Sequence, residues 1–149
     1  MPHDAASIPP TVARTLERFR AMGREEKMQA LLSYARKLEP VPERLASLDR
    51  AEFTVPECQT RVDLFPELRD GRMHYWADVD VRQSPTVAAF LAILFSAVND
   101  EPPATTLAIP ADFVQQVMAS VGLHAREVGL NGLVARVKRY ARDAATAGG

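Results

Sequence analysis

The stretch that decides the fold is S-P-T-V-A-A-F-L-A-I-L-F, residues 84–95. Ser84 suits the N-cap of a helix and Pro85 its first position, because serine accepts from orphan N–H groups and proline has none to satisfy. From Val87 to Phe95 every side chain is apolar, without the polar face of a surface helix. Helices of this kind are buried on all sides. We therefore expect a central helix around which the chain packs.

Amphipathic helices are predicted before this stretch. Pro9-Pro10 introduces an apolar helical stripe that stops at Gly23, because proline suits a first turn and glycine a C-terminal cap. A second helix is predicted over residues 24–38, and the prolines that follow end it. The side chains predicted to face the core from this second helix are Met28, Leu31, Leu32, Ala35 and Leu38.

Two further helices are predicted after the central one. Residues 110–121 carry an amphipathic pattern that ends at Gly122. The last helix follows Asn131, and the tail from Ala144 onward is expected to fray. Four basic residues of this helix are predicted to form a solvated face rather than a nucleic-acid site, namely Arg136, Lys138, Arg139 and Arg142.

The middle of the chain reads as a small antiparallel sheet. Residues 53–55, 62–68 and 73–77 are short and rich in β-branched and aromatic side chains. Asp70-Gly71 between the last two predicts a hairpin turn, because this pair tolerates positive φ. Helices, strands and helices in this order predict an α+β fold, with a sheet of about three strands packed against helices. We expect one domain over residues 1–149, with a core at 10–142 and flexible termini.

The composition is that of an ordinary globular chain. The 149 residues are 47% hydrophobic and 25% charged, with a net charge of −1. Without an excess of basic residues, broad binding to nucleic acid or an anionic membrane is disfavoured. The longest apolar run, residues 87–95, is too short to cross a bilayer, and the N-terminus carries no signal-peptide pattern. We therefore expect a cytoplasmic protein.

Cys58 is the sole cysteine, so neither an internal disulfide nor a paired-cysteine zinc or redox site can form. It lies in P-E-C-Q-T-R, residues 56–61, a polar segment predicted to join two strands. Free cysteines are often buried and inert, but polar loop neighbours favour access. Arg61 would favour a thiolate and Glu57 would oppose it, and the sequence leaves that balance open.

The segment V-P-E-C-Q-T, residues 55–60, resembles the active-cysteine motif of the SufE family, in which valine-proline precedes Cys-Gln-Ser or Cys-Gln-Thr. Other segments resemble the family in chain order. They are residues 24–27 at a helix start, 70–75 in the hairpin, 78–80 as an Asp-x-Asp element, 85–94 in the buried helix and 131–140 in the last helix.

The resemblance implies a SufE/IscU-like domain that acts as a sulfur acceptor. Cys58 would take persulfide sulfur from a SufS-type cysteine desulfurase, stimulate that enzyme and supply iron–sulfur scaffolds of the SufBCD type. Gln59 and Thr60 would shape the loop, with Asp78 and Asp80 as candidate supports. The pyridoxal phosphate belongs to the desulfurase, so the chain is expected to need no cofactor or metal of its own. A monomer or weak dimer is expected.

Two positions depart from the family pattern. Glu57 stands where many members have a glycine, and Gly129 aligns with a family arginine. The first departure implies a differently shaped loop, because glycine permits a tight turn. The second removes a basic side chain, and we expect this to affect the efficiency of sulfur transfer more than the fold.

Other interpretations remain open at this stage. The chain is alternatively an adaptor that activates a desulfurase without carrying sulfur, or a stand-alone cysteine hydrolase. A hydrolase would need a histidine to activate the thiol, and the candidates are His74 and His124. For Asp78 and Asp80 the alternative to a supporting role is a solvated turn or a helix cap.

Overall fold

The computed structural model describes residues 8–58, 60–119, 121 and 127–148. These form seven α-helices and a two-stranded sheet. In chain order the elements are α1 Pro10–Arg20, α2 Arg24–Ala35, α3 Glu43–Ala46, a 3₁₀ turn Arg50–Glu52, β1 Asp63–Arg69, β2 Arg72–Asp78, α4 Pro85–Val98, α5 Pro103–Leu107, α6 Phe113–Met118 and α7 Glu127–Gly148.

Helix α4 is the buried centre that its apolar sequence predicts. Eleven of its 14 residues are buried, and α1, α2 and β2 pack around it. Ser84 does occupy the N-cap position, but its side chain makes no capping bond. Its hydroxyl instead meets the hydroxyl of Thr60 at 2.7 Å. The predicted capping role is therefore wrong, and this serine links α4 to the segment that carries Cys58.

The hairpin agrees with prediction. β1 and β2 pair antiparallel, from Asp63 opposite Asp78 to Arg69 opposite Arg72. At the turn between them Asp70 has φ 53° and Gly71 has φ 77°. Positive φ at both central residues is the type I′ geometry that matches strand twist. The α+β fold with a small antiparallel sheet is thus confirmed.

The predicted third strand at residues 53–55 is wrong. The chain there turns, because the Asp49 carboxylate accepts from the Ala51 N–H and starts the 3₁₀ turn. Only Thr54 forms an isolated bridge, to Asp63. Pro56 follows at once and has no N–H with which to extend a ladder. On the other side of the hairpin, residues 99–101 cover the edge of β2 through backbone and side-chain bonds.

The buried face of α2 is only partly the predicted one, because Leu31 and Ala35 are buried as predicted but Met28 and Leu32 are not. Met28 is 47% and Leu32 55% exposed, while Lys27 and Tyr34 are buried beside Leu31. The Lys27 ammonium donates to the Ala119 carbonyl at 2.7 Å, so its stem lies inward despite the charge. Residues 27, 31, 34 and 35 form a helical stripe as regular as the predicted one, and packing against α4 selects it. The helix also ends at Ala35, before Leu38.

Of the two helices predicted after α4, the first is shorter and the second longer than expected. Helix α6 spans only Phe113–Met118, although its predicted apolar side chains are buried. Helix α7 begins at Glu127, before Asn131, and is helical beyond Ala144. Gly122 lies outside the described residues.

The predicted solvated basic face of α7 is wrong for two of its four residues. Arg136 donates to the carbonyls of Glu52 and Thr54, and Lys138 donates to the carbonyl of Ile109. Arg139 and Arg142 are exposed, as predicted. In the described part of the chain, no helix combines the length and apolarity needed to cross a membrane.

Adjacent leucines of α2 test the corrected face. Leu31→Ala should lower the free energy of unfolding by about 2–4 kcal/mol, because it leaves a cavity against α4. Leu32→Ala should change it by less than about 0.5 kcal/mol, because that side chain is largely in solvent. Urea denaturation of the two variants measures the difference. Equal losses would contradict the assigned face.

Candidate functional site

Residues 55–62 form a closed loop, here called the cysteine loop, at the Asp63–Asp78 end of the hairpin. Val55 donates its N–H to the carbonyl of Val62 at 2.9 Å, which joins the two ends of the loop. Just outside, Leu64 donates to the carbonyl of Phe53 at 2.8 Å. The base of the loop is thus narrow and hydrogen-bonded, and Cys58 lies near its tip.

Cys58 itself is half-buried. Its Sγ donates to the carbonyl oxygen of Gly129 in the first turn of α7, at 3.5 Å. Its N–H donates to the carbonyl of Val55 at 3.4 Å, which curls the loop. The preceding residues Pro56 and Glu57 are exposed. One side of the tip therefore faces solvent while the thiol side faces the helix.

Two glycines of α7 permit this close approach. A Cβ atom built on Gly129 would lie 3.3 Å from Cys58 Cα and 3.6 Å from its Sγ. One built on Gly132 would lie 2.7 Å from Glu57 Cβ, a distance that real Cβ atoms do not show. The loop thus occupies the space that side chains at these positions would fill. Gly129, noted above for the absence of an arginine, contacts the cysteine directly.

Further along the same helix, two polar side chains hold the base of the loop. Arg136 donates to the carbonyls of Glu52, at 3.4 Å, and Thr54, at 3.2 Å. The Tyr140 hydroxyl donates to the Leu64 carbonyl at 3.0 Å. Helix α7 therefore contacts the loop from tip to base over more than three turns. Sequence analysis missed these roles, because both donors bond to backbone carbonyls that carry no side-chain signature.

The surroundings of Cys58 disfavour the thiolate. Burial, and after it the nearby Glu57 carboxylate, raise the pKa of Cys58 to about 11. Arg61, which would have opposed this, lies 3.3 Å from the buried carboxylate of Asp63. The balance that the sequence left open therefore favours Glu57, and the resting thiol is protonated at neutral pH.

The other predicted site residues are only partly brought together. Thr60 lies in the loop and bonds Ser84, but Gln59 falls outside the described residues. Asp78 ends β2 and pairs with Arg50. Asp80 accepts from the N–H groups of residues 82 and 83, at 3.0 and 3.2 Å, and so closes the turn before α4. Of the roles considered for Asp80 in the sequence, this geometry matches the residue of a turn.

A buried carboxylate that sequence analysis missed lies beside the loop. Asp63 is almost fully buried and accepts from the Thr54 hydroxyl at 2.5 Å and from Arg50 at 3.3 Å. Arg50 also reaches Asp78 across the hairpin. A cavity of about 350 Å³ opens over these groups and over Thr60 and Arg61. The sequence did contain a signal for this site, namely an aspartate inside the apolar run of residues 62–65. A carboxylate in such a run is expected to be buried, and a buried carboxylate needs hydrogen-bonding or charged partners.

His74 is not brought to Cys58. Its ring nitrogens meet Asp100 at 3.0 Å and Glu39 at 2.9 Å. It lies opposite Glu67 in the hairpin, and strand rise puts that position about 13 Å along β1 from Asp63. His124 lies outside the described residues. No Cys–His pair for a hydrolase is therefore present among the residues that the structure describes. The same residues contain no group of three side chains placed to hold a metal ion.

Comparison with known proteins agrees with the motif around Cys58. The family model SufE, described as an Fe-S metabolism associated domain, matches residues 13–141. Uncharacterized SufE-like proteins from two strains of Mycobacterium tuberculosis are each 32% identical over 143 residues, which is 93% of this chain and 96% of the relative. An uncharacterized SufE-like protein of Synechocystis is 29% identical over 119 residues, 79% of this chain and 71% of that protein.

A solved structure shares the fold over nearly the whole chain. It is the solution structure of a hypothetical protein from Thermus thermophilus, with a TM-score of 0.81 and 28% identity. The match covers 93% of this chain and 98% of that one. Because the family model spans most of the sequence, the chain belongs to the SufE family of proteins associated with iron–sulfur metabolism.

Proposed function

We propose that Cys58 accepts a persulfide sulfur from a SufS-type cysteine desulfurase, which this protein stimulates, and delivers it to iron–sulfur scaffolds of the SufBCD type. The observation that carries the proposal is the place of the sole cysteine. It lies near the tip of a loop whose other side faces solvent, in a chain of the SufE family. We further propose that the protein works in the cytoplasm, as a monomer or weak dimer.

The transfer is a thiol–persulfide exchange without net oxidation. The Cys58 thiolate attacks the outer sulfur of the enzyme's cysteine persulfide, and a new sulfur–sulfur bond forms on Cys58. The bond between that sulfur and the enzyme cysteine breaks. The enzyme cysteine leaves as a thiolate and takes up the proton that Cys58 gave up. No cofactor bound to this chain is required, because the enzyme has already formed the persulfide.

The resting geometry keeps the thiol unreactive until a partner engages it. With a pKa of about 11, Cys58 holds its proton at neutral pH and donates it to the Gly129 carbonyl. Moving the tip off α7 would remove the burial that raises the pKa of Cys58, so the thiolate fraction would rise. The hydrogen-bonded base would stay attached to α7 during that movement.

The absence of a second cysteine suits a sulfur carrier. A neighbouring thiol would attack the persulfide, form a disulfide and release sulfide. No such thiol exists anywhere in the 149 residues. Sulfur held on Cys58 is therefore lost only to another molecule.

Intact mass spectrometry tests sulfur acceptance. Incubation with a SufS-type desulfurase, pyridoxal phosphate and L-cysteine should add one sulfur atom to the wild-type chain, and treatment with a reductant should remove it. Cys58→Ser is the matched control and should gain none. A correctly folded wild-type chain that gains no sulfur would overturn the proposal.

Desulfurase turnover separates a carrier from an adaptor. Cys58→Ser should lose nearly all stimulation of L-cysteine desulfuration, because the enzyme's persulfide then has no acceptor on this chain. Retained binding of the variant, by calorimetry, shows that docking is intact. Full stimulation by Cys58→Ser would instead favour an adaptor that carries no sulfur.

The raised pKa of Cys58 gives a pH dependence with a definite sign. Alkylation by iodoacetamide should rise until pH reaches about 11 in the folded chain, but level off near about 8.5 in urea. Because folding favours the protonated thiol, its contribution to stability is full below about pH 8.5 and is lost as pH rises through the folded-state value. Urea denaturation of wild type and Cys58→Ser over this range isolates that contribution. An inflection below about pH 8.5 in the folded chain would contradict the assignment.

A further inference from the structure

We infer that Glu57 is a positioning residue, which holds the tip of the cysteine loop on α7 by seating its side-chain stem on Gly132. This contact is called the clasp below. The inference rests on the proposed function and names the residue pair that controls when Cys58 becomes available.

The geometry of the clasp is complementary. The Cβ of Glu57 lies 2.7 Å, and its Cγ and Cδ 3.1 Å, from where a Cβ on residue 132 would be. The stem therefore fills the space of the missing side chain. Because Cβ is fixed by the backbone, rotating the Glu57 side chain does not relieve a clash there. Any side chain at 132 must displace Glu57 and, with it, the loop.

The tip is held more weakly than the base, and the clasp lies at the tip. At the base, Arg136 and Tyr140 donate nitrogen and oxygen hydrogen bonds to backbone carbonyls. At the tip, Cys58 offers α7 one sulfur hydrogen bond of 3.5 Å, and sulfur is a weak donor. On the opposite flank Thr60 bonds Ser84. Removing the clasp would thus release the tip while the base stays attached.

Three charged side chains beside the loop make contacts other than with Cys58. On α7, Glu127 accepts from Gln115 at 2.9 Å and Arg136 is bonded to the carbonyls at the base. In the loop itself Arg61 pairs with Asp63. Among the described residues, Glu57 is the ionisable group that shifts the pKa of Cys58. A variant that keeps the stem of Glu57 but removes its charge therefore separates the clasp from electrostatics.

Alkylation of the full-length chain by iodoacetamide, followed by intact mass, tests the clasp without a partner protein. The variants are Gly132→Ala, Glu57→Gly, the double variant and Glu57→Gln. Gly132→Ala should raise the rate at pH 8 about tenfold, the change expected if the Cys58 pKa falls by about one unit. Glu57→Gly should raise it comparably, whereas Glu57→Gln, which keeps the stem, should raise it less than about threefold.

The double variant provides the decisive comparison. Both single changes remove the same contact, so their effects on the alkylation rate should not multiply. In the Glu57→Gly background, Gly132→Ala should raise the alkylation rate less than about twofold. Gly23→Ala is the matched control, since a Cβ there meets nothing within 4 Å, and it should react at the wild-type rate. Multiplicative effects, or wild-type rates in Gly132→Ala, would overturn the clasp.

The experiment can be interpreted even if Gly132→Ala misfolds or the proposed function is wrong. If Gly132→Ala does not fold, Glu57→Gly against Glu57→Gln still decides, and equal rates in that pair would overturn the clasp. Failure of the proposed function is separately visible. Variants with faster alkylation that still gain no sulfur from the desulfurase would support the clasp and reject the carrier role.

Discussion

The burial of α4 is the constraint on which the rest of the structure depends. An isolated two-stranded hairpin is at best marginally stable in water, so β1 and β2 need a packing partner. Helix α4 provides it, through the ring of Phe95, which stacks on that of Tyr75 of β2 with the centroids 6.1 Å apart, and through its C-terminal end. There Asn99 accepts from the Tyr75 N–H at 2.8 Å and donates to its carbonyl at 3.2 Å. The hairpin is thereby held where its open end presents the cysteine loop to α7.

Helix α7 then decides how exposed the cysteine is. A helix with ordinary side chains at 129 and 132 would stand further from the loop, and the thiol would lie nearer to solvent. With glycine at both positions the backbones approach closely, so the half-buried thiol reaches the carbonyl of Gly129. Because the loop lies so close to α7, the thiol is partly removed from water, and this burial raises the pKa of Cys58. The close approach of the cysteine loop to α7 therefore determines both the position of Cys58 and its raised pKa.

Such a resting state has a chemical use in a sulfur carrier. An exposed thiolate reacts with many disulfides and oxidants, and thereby loses the site that the cargo needs. A protonated thiol on a loop that is firmly attached only at its base avoids these reactions, yet remains able to meet a partner. Under the proposed function, the reactive state would form only where the partner is bound, and the sulfur would pass between two proteins without a free intermediate.

The sequence by itself determined the features that local chemistry specifies. An all-apolar run predicted the buried α4, and Asp70-Gly71 predicted the type I′ turn. The family was indicated by the resemblance of residues 55–60 to a known motif. It did not determine contacts between residues far apart in the chain. The stripe containing Met28 and Leu32 is as regular as the buried one through Lys27 and Leu31, and only packing against α4 decides between them. The raised pKa of Cys58 likewise depends on burial of the thiol against α7 and, after that, on Glu57, while Arg61 lies against Asp63. Those contacts form only when the chain is folded, so tertiary structure alone decided them.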